Sequence, residues 1–222
     1  MNFTNTETWG FEHAIRGARN PMNSWSRSDS WFSSDTSRGF ELGPNDLDLL
    51  QRLIKAGPEH RKFMRQIMVS VDITAPMYFW SEFDTYKIGT VANSTSKMHK
   101  LTSAPITKDC FEMDDYEGGL LMYKREPYDL DAFTDDIWDN IINYCETLRK
   151  SYLKTKDKRY WKELIRILPE SWLQTRTVTM NYENLYSIVR QRKGHKLTEW
   201  RAFIDWVALT LPYANELIFL DK

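Results

Sequence analysis

The sequence predicts an α+β fold in which helices pack around a small central sheet, and three observations favour this class. Helical periodicity recurs along the chain and is clearest over residues 132–155, where apolar residues return every three or four positions. Only residues 67–74 and 175–180 have the short, β-branched pattern of strands. The 222 residues are 41% hydrophobic, which is enough to bury a sizeable core in one domain or at most two small ones.

Residues 1–45 differ in composition from the rest of the chain. Ser, Asn, Asp and Gly are frequent there, and three tryptophans are spaced among them: Trp9, Trp25 and Trp31. We interpret this segment as an aromatic-containing N-terminal extension in which residues 20–39 form a long ordered loop, because flexible linkers rarely contain Trp and Phe. Residues 46–222 are then predicted to form a single α+β domain.

The first elements of that domain are a helix, a strand and a second helix. Asn45 or Asp46 is expected to cap a helix that runs to Ala56, and Gly57-Pro58 ends it. The segment IMVSVDIT alternates apolar and polar residues and is predicted to be a strand that Ala75-Pro76 interrupts. The aromatic-rich residues 77–89 are predicted to be helical.

The C-terminal half is predicted to be mainly helical. Residues 90–130 contain Pro and Gly and are expected to be mostly loop, either a lid over a site or a static polar segment. Helices are predicted after it at 132–155, 158–168, 182–192 and 196–211, with the strand 175–180 before the third. Asn181 is expected to cap that third helix.

Composition and motifs exclude several classes of function. The chain has 30 basic and 31 acidic residues, which argues against bulk nucleic-acid binding. No apolar stretch is long enough to span a membrane, and the first residues lack the pattern of a signal peptide. Cys110, Cys145 and the scattered histidines form no metal-ligand motif, so we expect no metal site. These observations favour a cytoplasmic protein.

The small net charge is the sum of two opposite halves. Residues 109–148 contain 12 acidic and 2 basic residues, whereas residues 149–201 contain 14 basic and 5 acidic residues. Two interpretations stay open: oppositely charged faces that pair with each other, or a basic half that faces an anionic ligand.

Two polar clusters are the candidates for chemistry. The first, DTYKIGTVANSTSKMH (84–99), combines hydroxyl groups with lysines, which suits a phosphate or a nucleotide, although composition alone favours a polar loop with local turns. The second, RQRKGHK (190–196), lies at a predicted helix C-terminus, where cations also pair favourably with the helix dipole. Arg192 in this cluster is suited to bind a carboxylate, a phosphate or a pyrimidine carbonyl with its planar guanidinium.

Together these clusters resemble the flavin-dependent thymidylate synthases over roughly residues 46–210. VDITAPMYFW resembles the strand, Ala-Pro break and aromatic helix that precede the signature of that family. Laid without gaps after Ala75-Pro76, the signature falls on Thr85 to Met98. No position is identical, and Thr85-Tyr86-Lys87 stand where the family has Arg-His-Arg, so Arg61 and Arg65 are candidates for replacing the missing cations.

The C-terminal half matches the family better. Leu168-Pro169 precede a strand, Asn181 follows it, Arg192 comes eleven residues later, and His195 and Glu199 come next. The resemblance implies catalytic roles for Arg192 and Thr95. It implies substrate contacts from Lys97, Thr90, Asn93 and Arg192, and cofactor contacts from four residues: Lys87, Asn181, His195 and Tyr86.

The activity implied by the resemblance is transfer of a one-carbon unit from methylenetetrahydrofolate to C5 of dUMP by means of reduced FAD. NADPH and methylenetetrahydrofolate are the implied co-substrates, and a homotetramer with sites between subunits is the implied assembly. Two alternatives stay open. One is a non-catalytic or altered nucleotide-binding protein with the same fold, and the other is an assembly protein whose aromatic N-terminal segment docks a partner.

Overall fold

The structure is a computed structural model that describes residues 1–33, 39–113 and 130–220. Its helices and strands follow one another in this order: β1 Asn2–Trp9, α1 Phe11–Arg19, β2 Trp31–Phe32, β3 Phe40–Glu41, α2 Pro44–Ala56, β4 Met68–Pro76, α3 Met77–Phe83, β5 Val91–Ser94, α4 Lys97–Lys100, α5 Leu130–Thr155, α6 Lys158–Ile167, β6 Leu173–Asn181, α7 Tyr182–Arg192, α8 Thr198–Thr210 and α9 Ala214–Leu217. The predicted α+β class is confirmed.

The main sheet has the strand order β1-β4-β6-β5, and β2 and β3 form a separate antiparallel pair. From Met68 to Ala75 of β4 the side chains alternate between half-buried and buried positions, and Val69, Val71 and Ile73 are fully buried. This alternation confirms the strand that the β-branched pattern predicts, since successive side chains of a strand point to opposite faces. Both strands expected from sequence, β4 and β6, are present, but the predicted interruption at Ala75-Pro76 is wrong, because β4 continues to Pro76.

The chain divides into two compact units. The first consists of Met1, Thr74–Phe83 and Ser94–Thr175, and the second of Asn2–Ile73, Asp84–Asn93 and Arg176–Lys222. The division expected after residue 45 does not coincide with these units. Residues 2–9 form β1 of the main sheet and residues 11–19 form α1, so this part of the chain is integrated into the second unit.

The core of the first unit lies around the helices α5 and α6. Its buried members are Leu101, Ile106, Phe111, Ile142, Cys145, Leu148 and Leu164. Cys145 lies within the apolar periodicity of residues 132–155, and its burial raises the pKa of its thiol. The predicted loop features at Gly118-Gly119 and Pro127 lie outside the described residues.

Glu146 joins helix α5 to the segment before it in the first unit. Its carboxylate accepts hydrogen bonds from Arg149 Nε and Nη2, both at 2.7 Å, and from Ile106 N at 2.9 Å. Arg149 Nη1 also donates to the carbonyl oxygen of Thr102 at 3.2 Å. The hydrogen bonds from Arg149 lower the pKa of Glu146 from 4.5 to about 2, which outweighs the opposing effect of burial.

We expect Glu146 to make stability depend on pH in the acidic range. Because its folded-state pKa lies below its ordinary value of 4.5, the stabilisation is complete above that value and is lost as the pH falls from 4.5 towards 2. Replacing Glu146 with Gln should therefore cost roughly 2 kcal/mol near neutral pH and half of that or less near pH 3. Urea unfolding at both pH values measures this difference.

The matched control is Glu163, which pairs with Arg166 in the same i,i+3 arrangement but is more accessible to water, with 41% of its side chain exposed against 15% for Glu146. Exposed pairs contribute little, so Glu163→Gln should change stability by less than about 0.5 kcal/mol at either pH. An equal effect of the two substitutions would contradict the role assigned to Glu146.

The second unit packs α1, α2 and α7 against a 3-10 segment, Arg61–Gln66. Phe63 and Met64 of that segment are buried, and so are Leu50 and Ile54 of α2. Leu50 and Ile54 belong to the apolar face that the sequence predicts for this helix. Helix α8 lies against α7 and buries Trp200 and Phe203 completely.

The predicted cap of α2 is wrong. The helix begins at Pro44 after Gly43, so Asn45 and Asp46 lie inside its first turn. The carboxylate of Asp29 accepts hydrogen bonds from the backbone N–H groups of Asn45 at 2.9 Å and of Asp46 at 3.1 Å. A side chain distant in sequence thus satisfies the helix end, and Pro occupies the position where its missing N–H costs nothing.

The predicted helix 77–89 is wrong in its second half, because α3 ends at Phe83. The following residues form a turn that side chains from later in the chain hold in place. Arg176 binds Asp84 through an ion pair of 2.7 Å, and Asn184 Nδ2 donates to the carbonyl oxygen of Ile88 at 2.7 Å. Gly89 adopts a φ of +76°, which a helix does not contain.

Among the described residues, no helix is long and apolar enough to cross a membrane.

Candidate functional site

The predicted site residues fall in both units. Thr95 and Lys97 belong to the first unit, whereas Tyr86, Lys87, Thr90, Asn93, Asn181, Arg192 and His195 belong to the second. Within the second unit the structure brings together two groups of them. One surrounds the guanidinium of Arg192, and the other surrounds the N-terminus of α7.

Arg192 is the last residue of α7, and aromatic rings enclose its guanidinium. Its Cζ lies 4.5 Å from the ring centre of Trp200 and 5.4 Å from that of Tyr86. Its Nε donates a hydrogen bond of 2.8 Å to the hydroxyl oxygen of Tyr86. Because Trp200 is fully buried, the indole supplies a fixed surface on which the guanidinium lies, and cation–π attraction and the hydroxyl orient it.

His195 lies at the edge of the same cluster. Its ring centre is 6.2 Å from that of Trp200, and the two rings are inclined by 69°. The backbone N–H of His195 donates to the carbonyl oxygen of Arg192 at 3.0 Å, which closes the turn after α7. Its Nδ1 accepts a hydrogen bond from the backbone N–H of Leu197 at 3.2 Å. The turn therefore fixes the imidazole relative to Arg192, three residues before it.

The second group is the capping box at the start of α7. The Asn181 side chain accepts from the N–H of Asn184 at 3.0 Å, and the Asn184 side chain accepts from the N–H of Asn181 at 3.1 Å. The predicted capping role of Asn181 is thus confirmed. The same pair holds the turn that carries Tyr86 and Lys87, because Asn184 Nδ2 binds the carbonyl of Ile88.

Gly89 lies directly against this capping box. A Cβ at Gly89 would lie 2.9 Å from Asn184 Oδ1 and 3.2 Å from Asn181 Nδ2, and its φ is +76°. Gly194 has an almost identical φ of +78° with no atom within 4 Å of the Cβ position. The two glycines therefore share a backbone requirement but differ in steric surroundings.

We expect Gly89→Ala to destabilise the protein by about 1 kcal/mol more than Gly194→Ala does. Both substitutions incur the cost of a left-handed backbone, but only the first displaces the Asn184 side chain from the capping box. Thermal or urea unfolding of the two variants measures the difference. Equal destabilisation of the two variants would contradict this expectation, because it would mean that a Cβ at Gly89 does not weaken the hydrogen bonds of the capping box.

The remaining predicted residues of the second unit are less constrained. Lys87 and Asn93 are exposed, the latter in β5. The Thr90 hydroxyl donates to the carbonyl oxygen of Tyr86, which is the local turn bond typical of a polar loop. Two exposed apolar side chains accompany them, Ile88 and Val91, which are 90% and 66% exposed.

In the first unit, backbone hydrogen bonds hold the segment that contains Thr95 and Lys97. Thr95 N donates to the carbonyl of Thr175 at 2.9 Å, and its own carbonyl accepts from Gln174 Nε2 at 2.9 Å. The Thr95 side chain is exposed, and Lys97 opens helix α4 with a half-buried side chain. These residues are placed by β6 rather than by a glycine-rich loop.

Two other predicted candidates have different roles in the structure. Arg61 makes a two-pronged ion pair with Glu183, with distances of 2.8 to 3.1 Å, while Arg65 is exposed. The hydrogen bonds that Arg61 donates to Glu183 raise the pKa of Arg61. Of the aromatic residues at 77–89, Phe79 and Trp80 are fully buried in the first unit, whereas Tyr86 of the second unit contacts Arg192. Among the described residues, no group of His, Cys, Asp or Glu is arranged to hold a metal ion.

Sequence reasoning missed two residues of this region. Trp200 lies on a predicted helix, but nothing in its spacing indicates that it lies under Arg192. Asn184 follows Asn181 at the spacing of a capping box, and that signal was available in the sequence even though Glu or Gln is usual at this position.

The fold is that of the flavin-dependent thymidylate synthases. One solved structure with this fold is the flavin-dependent thymidylate synthase ThyX from Helicobacter pylori complexed with FAD and dUMP, which matches with a TM-score of 0.66 and 15% identity over 99% of this chain and 98% of that chain. A second structure of Helicobacter pylori ThyX with FAD and dUMP, at 2.31 Å resolution, matches with a TM-score of 0.67 and 15% identity over 99% of this chain and 97% of that one.

The similarity therefore extends over residues 1–45 as well, which the sequence resemblance leaves out. No protein-family model matches this chain, and no curated protein is significantly similar to it in sequence.

Proposed function

We propose that this protein is a divergent flavin-dependent thymidylate synthase. It would bind FAD and dUMP and transfer a one-carbon unit from methylenetetrahydrofolate to C5 of the pyrimidine, with NADPH as reductant. The observation that carries the proposal is the likeness in fold, over almost the whole chain, to synthase structures complexed with FAD and dUMP. The Arg192 cluster supports it with a donor set of suitable chemistry.

The residues of this cluster fit a pyrimidine nucleotide. A guanidinium held on an indole is a planar donor that suits the carbonyl oxygens of a pyrimidine. The exposed turn of the second unit fits a larger planar group, because Ile88 and Val91 offer apolar surface beside the cation of Lys87. A bound reduced flavin would supply the hydride that completes the methyl group.

The chain's own residues then act by binding and electrostatics. Arg192 would donate hydrogen bonds to a carbonyl oxygen of the pyrimidine and stabilise negative charge that develops there. Tyr86 and Trp200 would keep the guanidinium in one orientation, so that less freedom is lost on binding. We infer from the resemblance that Lys97 pairs with the substrate phosphate and that Thr95, Thr90 and Asn93 contact the nucleotide. Lys87, Asn181 and His195 would contact the cofactor.

One observation favours a second candidate, a nucleotide-binding protein without synthase activity. The turn that contains Tyr86 and Lys87 has one exposed lysine where the family has Arg-His-Arg. A lysine is a single point of charge and does not bind a phosphate with two parallel hydrogen bonds, as arginine does. This candidate predicts stabilisation by dUMP without turnover.

An absorbance spectrum of the purified protein, followed by titration with FAD and dUMP, tests the proposal. A synthase should show flavin absorbance or quench FAD fluorescence on binding, and should convert dUMP when NADPH and methylenetetrahydrofolate are added. Binding of dUMP without flavin binding or turnover would support the second candidate. Failure to bind either ligand would overturn both.

A pair of lysines in α4 provides a matched control for the phosphate contact. Lys97 is half-buried and Lys100, three residues later, is exposed. We expect Lys97→Ala to weaken dUMP binding and Lys100→Ala to leave it unchanged, whereas equal effects would indicate a general charge contribution.

The homotetramer and the cytoplasmic location implied by the resemblance stay predictions.

A further inference from the structure

A cavity of about 260 Å³ lies in the second unit, apart from the residues described above. It is lined by α1 and by the segment that follows this helix: Glu12, Ile15, Arg16, Arg19, Trp25, Ser28, Ser30 and Phe32. Its walls are therefore an aliphatic side chain, two aromatic rings, two hydroxyl groups and three charged groups. A cavity of this size holds a small molecule with one aromatic ring.

Arg19 is the polar group that marks this cavity as a site. It is 4% exposed, and its Nε donates to Asp46 Oδ1 at 2.5 Å while Nη1 reaches the carbonyl of Ser24 at 3.3 Å. Its Nη2 is buried and has no hydrogen-bond partner among the described residues. A buried, unsatisfied N–H of a guanidinium is costly, so an acceptor on a bound ligand would remove a penalty of the unliganded protein.

The other polar groups near Arg19 are already engaged. Asp46 Oδ2 accepts from the hydroxyl and N–H of Ser30, from the hydroxyl of Ser28 and from the N–H of Asp29. Ser30 Oγ also accepts from the N–H of Gly43 at 3.0 Å. These bonds leave Asp46 well satisfied, so Arg19 is the group in the lining that still needs an acceptor.

The remaining lining residues define the rest of the ligand. Trp25 and Phe32 are flat apolar walls, and Ile15 is buried behind them. Arg16 and Glu12 are exposed lining residues of opposite charge. Inorganic phosphate offers no apolar surface to these rings, whereas an aromatic ring with an anionic group can contact both the rings and the guanidinium.

We propose that this cavity binds a small aromatic carboxylate, with its ring beside Trp25 and Phe32 and its carboxylate on Arg19. The proposal is independent of the synthase activity, because it uses none of the residues assigned to dUMP or FAD. Benzoate is the simplest probe of this class.

Titration of the full chain with benzoate, followed in NMR spectra that resolve the tryptophan indole N–H signals, tests the proposal. We expect saturable binding with Kd at or below about 1 mM and a shift of the Trp25 signal. Benzyl alcohol, which keeps the ring but lacks the charge, and inorganic phosphate, which lacks the ring, should each bind at least about 10-fold more weakly. Absence of saturable benzoate binding at about 10 mM would overturn the proposal, as would equal binding of either comparison ligand.

Matched tryptophans locate the binding without disturbing the core. Trp25 and Trp31 are both 50% exposed, but only Trp25 lines the cavity. Trp25→Ala should weaken benzoate binding at least about 10-fold, whereas Trp31→Ala should leave it unchanged. Arg19→Met tests the carboxylate contact directly, but this substitution disrupts a buried ion pair and the variant can fail to fold.

Arg16→Ala, compared with Arg27→Ala outside the cavity, therefore provides a second pair at exposed positions. We expect Arg16→Ala alone to weaken benzoate binding. Arg192→Ala should leave benzoate binding intact. If Arg192→Ala abolished the binding, or if Trp25→Ala and Arg16→Ala both left it unchanged, the assignment to this cavity would be wrong.

Discussion

Replacing Arg192 with alanine is expected to weaken dUMP binding by about 100-fold, with a loss of only about 1 kcal/mol in stability. The binding loss follows from removal of charged hydrogen bonds to the pyrimidine, which the proposed function assigns to this residue. The stability loss is small because the guanidinium is half-buried and contributes a cation at a helix end and a contact with Trp200. Calorimetric titration with dUMP and thermal unfolding measure the two effects separately.

Two further variants make this result specific. Arg192→Lys keeps the charge but loses the planar donor, so we expect it to recover only a small part of the affinity. Arg201→Ala removes an exposed cation from the neighbouring helix α8 and should change dUMP binding less than about 2-fold. A large loss of stability in Arg192→Ala with unchanged dUMP binding would contradict the ligand role and indicate that the residue serves to end α7.

The region around α7 was predictable because its determinants are local in sequence. Asn181 precedes a helical pattern, and the Lys193-Gly194 break follows Arg192. A cap and a break fix where a helix begins and ends, and so they fix the place of Arg192 at its C-terminus. His195 comes three residues after Arg192, so its place in the turn beside Arg192 is also determined locally.

The turn after α3 was not predictable for the opposite reason. Its residues have helical periodicity, but Arg176 and Asn184, which hold the turn, lie about a hundred residues later in the chain. The free energy of these long-range hydrogen bonds overrides a weak local preference for helix. The position of Trp200 under Arg192 has the same origin, since it depends on how α7 and α8 pack.

The N-terminal segment shows a related limit. Asp46 has the residue type and position of a helix cap, and that local interpretation is wrong because the carboxylate is buried and binds Arg19, 27 residues earlier. A short polar residue before a helical pattern predicts a cap, whether the residue caps the helix or lies buried in an ion pair. Burial decides between them, and burial depends on how the rest of the segment packs over α2.

Replacing Asp46 with Asn should destabilise the protein by about 3–5 kcal/mol. Asp46 is fully buried and Arg19 is 4% exposed, so the substitution leaves a guanidinium without a countercharge in the interior. The amide of the variant would keep only one oxygen, so its NH2 group would face either Arg19 or the hydroxyl groups of Ser28 and Ser30. In either arrangement one donor would point at another donor. Urea unfolding near neutral pH measures the loss.

Asp48 in the same helix is the matched control. It pairs with Arg52 at 2.9 Å, but both side chains are about two-thirds exposed, at 65% and 67%. Asp48→Asn should therefore cost less than about 0.5 kcal/mol, because water already solvates both charges. If Asp46→Asn cost as little as this control, Arg19 would have to be neutralised by another group, and the unsatisfied Nη2 would no longer be a reason to expect an anionic ligand in the adjoining cavity. The stability measurement thus tests the electrostatic premise of that site before any ligand is added.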